Sequence, residues 1–133
     1  MFSGLSIPAS ALTAETLRMD VIAQNLANID TTVTPQGGPY RRQFVVLAAR
    51  PAGADGVGQG VEVAAVLPDP SPFKVVYDPG NPLANAQGDV LYPNVHLATE
   101  MVDLIAASRA YAANATVFNA VKSEAVKALS IGA

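Results

Sequence analysis

The chain has 133 residues, of which 14% are charged and 50% hydrophobic, with a net charge of -3 and no cysteine. That length suits one compact unit with a modest core, and a charged fraction well below the usual figure of about 25% points to surface meant for partners. No clustered Lys and Arg are present to neutralise phosphates, so no nucleic-acid partner is expected; without thiols there is neither a disulfide nor a thiolate metal site.

The opening segment MFSGLSIPASAL has no basic region followed by a long apolar run, so no cleaved secretory signal is expected. Between Pro8 and Asp30 apolar residues recur on a helical period. Leu5, Leu12, Met19 and Leu26 lie seven apart, with Ile22 and Ile29 three beyond the last two, which predicts a helix with one continuous apolar stripe. Ser6 or Ser10 is the expected cap, Pro8 the expected first-turn residue, and Glu15 with Arg18 a pair on the exposed face. Asn28, Asp30, Thr31 and Thr32 compete for backbone hydrogen bonds and predict the helix end.

Residues 35–93 hold every proline except Pro8 and most of the glycines. Among them sit four short runs of strand-forming residues, at 42–48, 60–66, 73–77 and 89–92, separated by Pro, Gly, Asn and Asp turns. A small β-rich projection is predicted. From Asn94 a helical pattern returns and persists to the end. Met101, Ser108, Ala115, Lys122 and Leu129 form one seven-spaced row; Leu104, Tyr111, Phe118 and Ala125 a second; Ile105, Ala112, Asn119 and Val126 a third. About 35 residues at ~1.5 Å each make a helix near 50 Å long, more than so small a core requires, so the helix calls for a partner. One charge, Arg109, within residues 104–121 is accompanied by Ser108, Asn114, Thr116 and Asn119, and no bilayer span is expected there.

Residues that could carry chemistry read more simply as structure. His96 has no acid held beside it by any motif. Asp69 and Asp78 precede prolines in turns, and with Asp89 they fit no calcium-loop spacing. The sequence GVGQG at 56–60 lacks a following lysine and helix, so it is read as hairpin glycine rather than a phosphate loop. Asn114-Ala115-Thr116 matches the glycosylation pattern inside a predicted helix, where it would be poorly presented. No enzyme, cofactor, metal or small-molecule substrate is therefore expected. Tyr40, Arg41 and Arg42 offer stacking and bidentate hydrogen bonding suited to a protein contact.

The pattern predicts an α+β chain. Residues 1–32 and 94–133 pair as an elongated, coiled-coil-like helical assembly unit, and residues 33–93 form a small β-rich insert. The motif MDVIAQNLANIDTT (19–32) resembles the Asn-rich signature of the flagellar axial rod and hook proteins. Within that family TTVTPQGGPYRRQ (31–43), DPSPFKVVYDPGNPLANAQGDV (69–90) and the run PNVHLATEMVDLIAASRAYAANATVFNAVKSEAVKALSIG (93–132) are similar to the proximal-rod proteins of the bacterial basal body. GADGVGQG and GDV (88–90) depart from that pattern, in the insert only.

The resemblance implies a structural subunit of the axial rod, which transmits torque from rotor to hook. It implies assembly with copies of itself and other rod proteins in a helical tube, and export without a cleaved signal by the flagellar type III apparatus to the periplasm-spanning rod. The assembly interface expected on this basis comprises Leu12, Met19, Ile22, Asn25, Leu26, Asn28 and Ile29 from the first helix and Tyr40, Arg41 and Arg42 beyond it. From the second helix it takes Met101, Leu104, Ile105, Tyr111, Phe118, Ala125 and Leu129. Asn25 and Asn28 are expected to bond backbone groups at the helix end and in a neighbouring subunit, fixing one register at some cost in stability. Two other classes compete: a soluble coiled-coil adaptor dimerising through residues 97–129 and binding a peptide by strand addition, and a small enzyme sited in the insert.

Overall fold

The computed structural model describes residues 3–132. Met1, Phe2 and Ala133, which the expected terminal unit includes, lie outside the described residues. Helix α1 (Ser3–Ala27) is followed by strands β1 (Gln43–Ala49), β2 (Val61–Pro68), β3 (Lys74–Tyr77) and β4 (Asp89–Tyr92), and then by helix α2 (Leu97–Gly132). At 1.5 Å per residue the helices span roughly 38 and 54 Å. They pack together along their length as an antiparallel pair: Gly4 lies against Val121, and Asn25 reaches Glu100. The expected α+β arrangement of two long terminal helices around small antiparallel hairpins is what the chain adopts.

The start of α1 differs from the sequence expectation. The helix begins at Ser3, so Pro8 lies inside it rather than in the first turn, and its absent N–H leaves only one ladder bond unmade. Ser10 is not a cap either; its Oγ donates to the Ile7 carbonyl at 2.6 Å and accepts from the Val61 amide at 3.1 Å, tying α1 to the start of β2. Gly60 is required for that tie. Its φ is +98°, and a Cβ there would collide with Ser10 Oγ. Beyond Ala27 the chain leaves α1 through a tight turn, in which the Asn28 amide reaches the Gln24 carbonyl at 3.1 Å and the Thr31 amide the Asn28 carbonyl at 3.0 Å. The polar run at 28–32 terminates the helix as its chemistry predicts.

Each hairpin is its own two-stranded antiparallel sheet. Phe44 pairs with Leu67 and Val46 with Ala65 in the first, with an irregular register after Val46; Val76 pairs with Val90 in the second. The first hairpin lies against α1, whereas the strands of the second approach neither helix nor the first hairpin. The apolar core is small: Ala14, Val21, Ile22, Val90, Val95 and Ala107 are buried. Three of the most deeply enclosed side chains are polar: Asn25, Asn94 and Glu100. Glu15 and Arg18 do pair, at 3.5 Å, but Glu15 is buried rather than on an open face. Arg18 lines the same cleft as Phe44 and Val45 of the first hairpin, which covers this side of α1.

Candidate functional site

Two features stand out: a polar junction that fixes the hairpins to the helix pair, and an apolar face of α2 that is left exposed among the described residues. The junction begins with Asn25, in the last two turns of α1 and fully enclosed. Its Nδ2 donates to the Gln43 carbonyl at 2.8 Å and its Oδ1 accepts from the Gln43 amide at 3.0 Å. The carboxamide thus pairs with the outer edge of β1 as the backbone of a neighbouring strand would. Tyr40 Oη donates to the same Oδ1 at 2.8 Å, and Nδ2 also contacts Glu100 Oε2 at 3.3 Å. Every donor and acceptor of the amide is used inside the subunit.

Glu100, in the first turn of α2 and fully enclosed, receives Arg42 Nε on Oε1. The rest of the guanidinium is shared between Asp69 at 3.0 Å and Asp103 at 3.3 Å. Burial by itself would lower the pKa of Arg42, but hydrogen bonds and charge from Glu100 and Asp69 outweigh it and leave the value raised. Burial, helped by the charge of Glu100, also raises the Tyr40 phenol, which stays a donor to Asn25. Asn94, just before α2, accepts the Arg42 amide at 2.7 Å and donates to the Asp69 and Ser71 carbonyls at 3.1 and 3.0 Å. Arg41 reaches the same two carbonyls at 2.7 and 2.9 Å while its guanidinium stacks 4.1 Å from the centre of the Phe73 ring. The link between the hairpins is therefore clamped by Arg41, Arg42 and Asn94.

This geometry gives Asn25, Tyr40, Arg41 and Arg42 a role within the chain. The sequence predicts that Asn25 bonds backbone groups at the helix end and in a neighbouring subunit, and that the other three suit a protein contact; within one chain their polar groups bond to the Gln43 backbone, to Asn25, Glu100, Asp69 and Asp103, and to the Ser71 carbonyl. Residues far apart in sequence, Asn25, Arg42, Asp69 and Glu100, converge only when the helices pair, so no local signal could reveal it. Asn28 bonds locally as well, from Nδ2 to the Gln24 carbonyl at 2.9 Å and from Thr31 Oγ1 to its Oδ1 at 3.1 Å. Replacing Asn25 with Ala should leave the Gln43 edge, Tyr40 and Glu100 short of partners in a water-free site. A loss of at least ~2 kcal/mol is expected in urea unfolding, whereas Asn28→Ala at the partly exposed turn should cost well under half as much.

Asp69 makes the junction acid-sensitive. Hydrogen bonds from the Ser71 hydroxyl and amide, at 2.6 and 2.8 Å, hold its carboxyl below the usual range; burial opposes them, and the hydrogen bond and charge of Arg42 add to the lowering. Because the folded value lies below the unfolded one of about 3.9, its stabilisation is complete above the unfolded value and is lost as pH falls through the folded one. Urea midpoints measured from pH 6 downward should fall in acid, and Ser71→Ala should flatten that fall.

On α2 two seams run side by side. Glu100, Leu104, Ala107, Asn114, Phe118, Val121 and Ala125 are buried or half-buried along the side that meets α1. Met101, Ile105, Val126 and Leu129, one position further round, are exposed. Tyr111 is 39% exposed and lines a shallow cleft with Leu12, Thr16 and Leu17 of α1. On α1, Ile22 is buried, while Leu12, Met19 and Leu26, with Ile29 in the turn just beyond, are half-buried. A helix with two apolar seams has one for its own subunit and one left over. Among the described residues no helix is long and apolar enough to cross a membrane. His96 is exposed and serves as the backbone start of α2, its carbonyl accepting the Glu100 amide at 3.0 Å.

Comparison with known proteins agrees with this architecture. Residues 5–33 match the family described as flagella basal body rod protein, and residues 86–131 match the family described as flagellar basal body rod FlgEFG protein C-terminal. The two matches take in nearly all of α1 together with β4 and α2, and leave the first hairpin and β3 between them. The chain is 47% identical to the flagellar basal-body rod protein FlgC of Borreliella burgdorferi, over 98% of this chain and 97% of that protein. It is 44% identical to the protein of that name from Bacillus subtilis over the same shares, and 48% identical to that of Escherichia coli O6:H1 over 95% and 93%.

Proposed function

The chain belongs to the FlgC family of flagellar basal-body rod proteins, and from that membership we propose that it works as a structural subunit of the rod, packing with copies of itself and other rod proteins into the helical shaft that carries torque from rotor to hook. It performs no catalysis; its product is a rigid contact. The observation that carries this reading is near-full-length similarity at 44 to 48% identity to relatives named as rod proteins.

In this role the paired termini form the assembly unit and the hairpins project from it. The second seam of α2, with Met101, Ile105 and Leu129, supplies the contact between subunits, joined by the half-buried Leu12, Met19 and Leu26 of α1 and Ile29 just beyond it. Burial of such exposed side chains is worth roughly 1.5 to 3 kcal/mol each when complete, so a few of them suffice to favour the assembled state. The polar junction acts inside each subunit, holding hairpins and helices at one angle so that successive copies repeat the same contact. Export without a cleaved signal, through the flagellar type III apparatus, completes the proposal.

The test is deletion of the gene followed by complementation, scoring swimming and the presence of a rod in isolated basal bodies. Non-motile, rodless cells rescued by the intact gene are expected. Normal flagella in the deletion strain would overturn the assignment.

A further inference from the structure

The two helices carry matching recesses on their open sides. On α1 the exposed Thr13, Thr16 and Asp20 and the half-buried Leu17 surround one, which Leu12 and Tyr111 also line. On α2 Asn119, Lys122, Ser123 and Val126 surround another, which Lys127 also lines. Each set of four is spaced i, i+3, i+4, i+7, the hole that receives one side chain from a facing helix. The two holes differ in charge. Of the acidic residues in the helices, Glu15 pairs with Arg18, Glu100 and Asp103 with Arg42, and Glu124 with Lys127. Asp20 alone has no cation among the described residues, and Lys122 has no carboxylate there.

We propose that these holes interlock between two copies of this chain: Val126 of one copy enters the hole on α1 of the other, and Asp20 of that copy enters the hole on α2 beside Lys122. The proposal rests on the reading of the chain as a rod subunit and names the part of α1 that the second seam of α2 meets. One alignment satisfies both insertions. With the facing helices antiparallel and Val126 centred between Thr16 and Leu17, Asp20 falls one turn along, between Lys122 and Ser123, whose ammonium and hydroxyl can both donate to its carboxylate. Parallel helices would set Lys122 beside Thr13 and Asp20 beside Leu129, with no charge opposite either. Charge therefore selects the antiparallel contact and fixes its register. Because α1 and α2 are antiparallel within a chain, this contact points both copies the same way. Gly4 lies against Val121 and Asn25 reaches Glu100, so within one chain Thr16 is level with Arg109. Setting Thr16 against Val126 instead displaces the second copy along the helices by roughly 26 Å. A displaced, co-directional contact is heterologous: each copy offers its own α1 hole to the next, and the contact propagates along a helix.

The absence of cysteine makes cross-linking unambiguous. A Thr16→Cys and Val126→Cys double variant, oxidised in basal bodies isolated from complemented cells, should give a ladder of dimers, trimers and longer species under denaturing conditions. Within one chain the two positions are roughly 26 Å apart along the helices, beyond the reach of a disulfide, so every cross-link joins two copies. Charge reversal tests the register. Asp20→Lys should leave the urea midpoint of the purified chain unchanged, since Asp20 is exposed and has no partner among the described residues, while complemented cells lose swimming and rods. Adding Lys122→Asp to Asp20→Lys should restore both. Asp20→Lys cells that swim as the parent does, together with no ladder from the cysteine pair, would overturn the interlock while leaving the rod assignment intact, because the deletion strain still lacks a rod. Rescue of Asp20→Lys by Arg109→Asp in place of Lys122→Asp would set neighbouring copies nearly level and would also overturn it.

Discussion

Replacing Arg42 with Met should cost the isolated subunit roughly 3 to 5 kcal/mol, because it strands the fully enclosed Glu100 carboxylate without its cation. Against the 5 to 15 kcal/mol that holds a typical domain, the loss approaches complete unfolding, read as collapse of the urea midpoint by far-ultraviolet circular dichroism. Asp103→Ala removes a contact at 3.3 Å to a carboxylate that is one-third exposed, and should cost less than ~1 kcal/mol. The comparison separates a buried charge from a solvated one on the same guanidinium. Pairing Arg42→Met with Glu100→Met should recover part of the loss, since an apolar pair carries no desolvation cost. Equal effects of Arg42→Met and Asp103→Ala would mean that the junction does not hold the subunit together.

Ile105→Asp should do the reverse. The side chain is 51% exposed on the second seam of α2, so subunit stability should stay within about 0.5 kcal/mol of the parent. In cells the buried charge would be placed in the contact between subunits, where an unpaired carboxylate costs several kcal/mol at every repeat. Complemented cells should be non-motile and without rods although the protein is made and folded. Leu104→Asp, one residue earlier on the half-buried side, should damage both stability and assembly. Motility and rods at parental levels with Ile105→Asp would remove the second seam from the interface.

The two experiments probe different levels of one arrangement. Torque passes between subunits only if each is internally stiff, and here stiffness comes less from apolar volume than from a network of polar groups with their partners in place. Such networks are unforgiving: satisfied, they fix one geometry, and with one member missing the remaining groups are left unpaired in low dielectric. Asn25 illustrates the economy of the design. One amide ends the buried side of α1, covers the first outward position of β1 and touches α2 through Glu100.

The sequence by itself determined the elements and their order. Seven-residue apolar spacing dictated two helices, and β-branched runs between Pro and Gly turns dictated four short strands, because these signals act through local sterics and periodic burial. It also carried the family, through motifs at both ends of the chain. Tertiary structure alone decided which way each helix faces. On α2 two apolar rows lie one residue apart, and periodicity cannot say which of them meets α1, since either would bury comparable surface. Polar side chains were equally ambiguous: Asn25, Tyr40 and Arg42 suit an interface between subunits as well as one within a subunit. Their partners, Glu100, Asp69 and the edge of β1, come within reach only after the two helices have packed antiparallel, and a contact spanning 75 residues leaves no mark on the local pattern at either end.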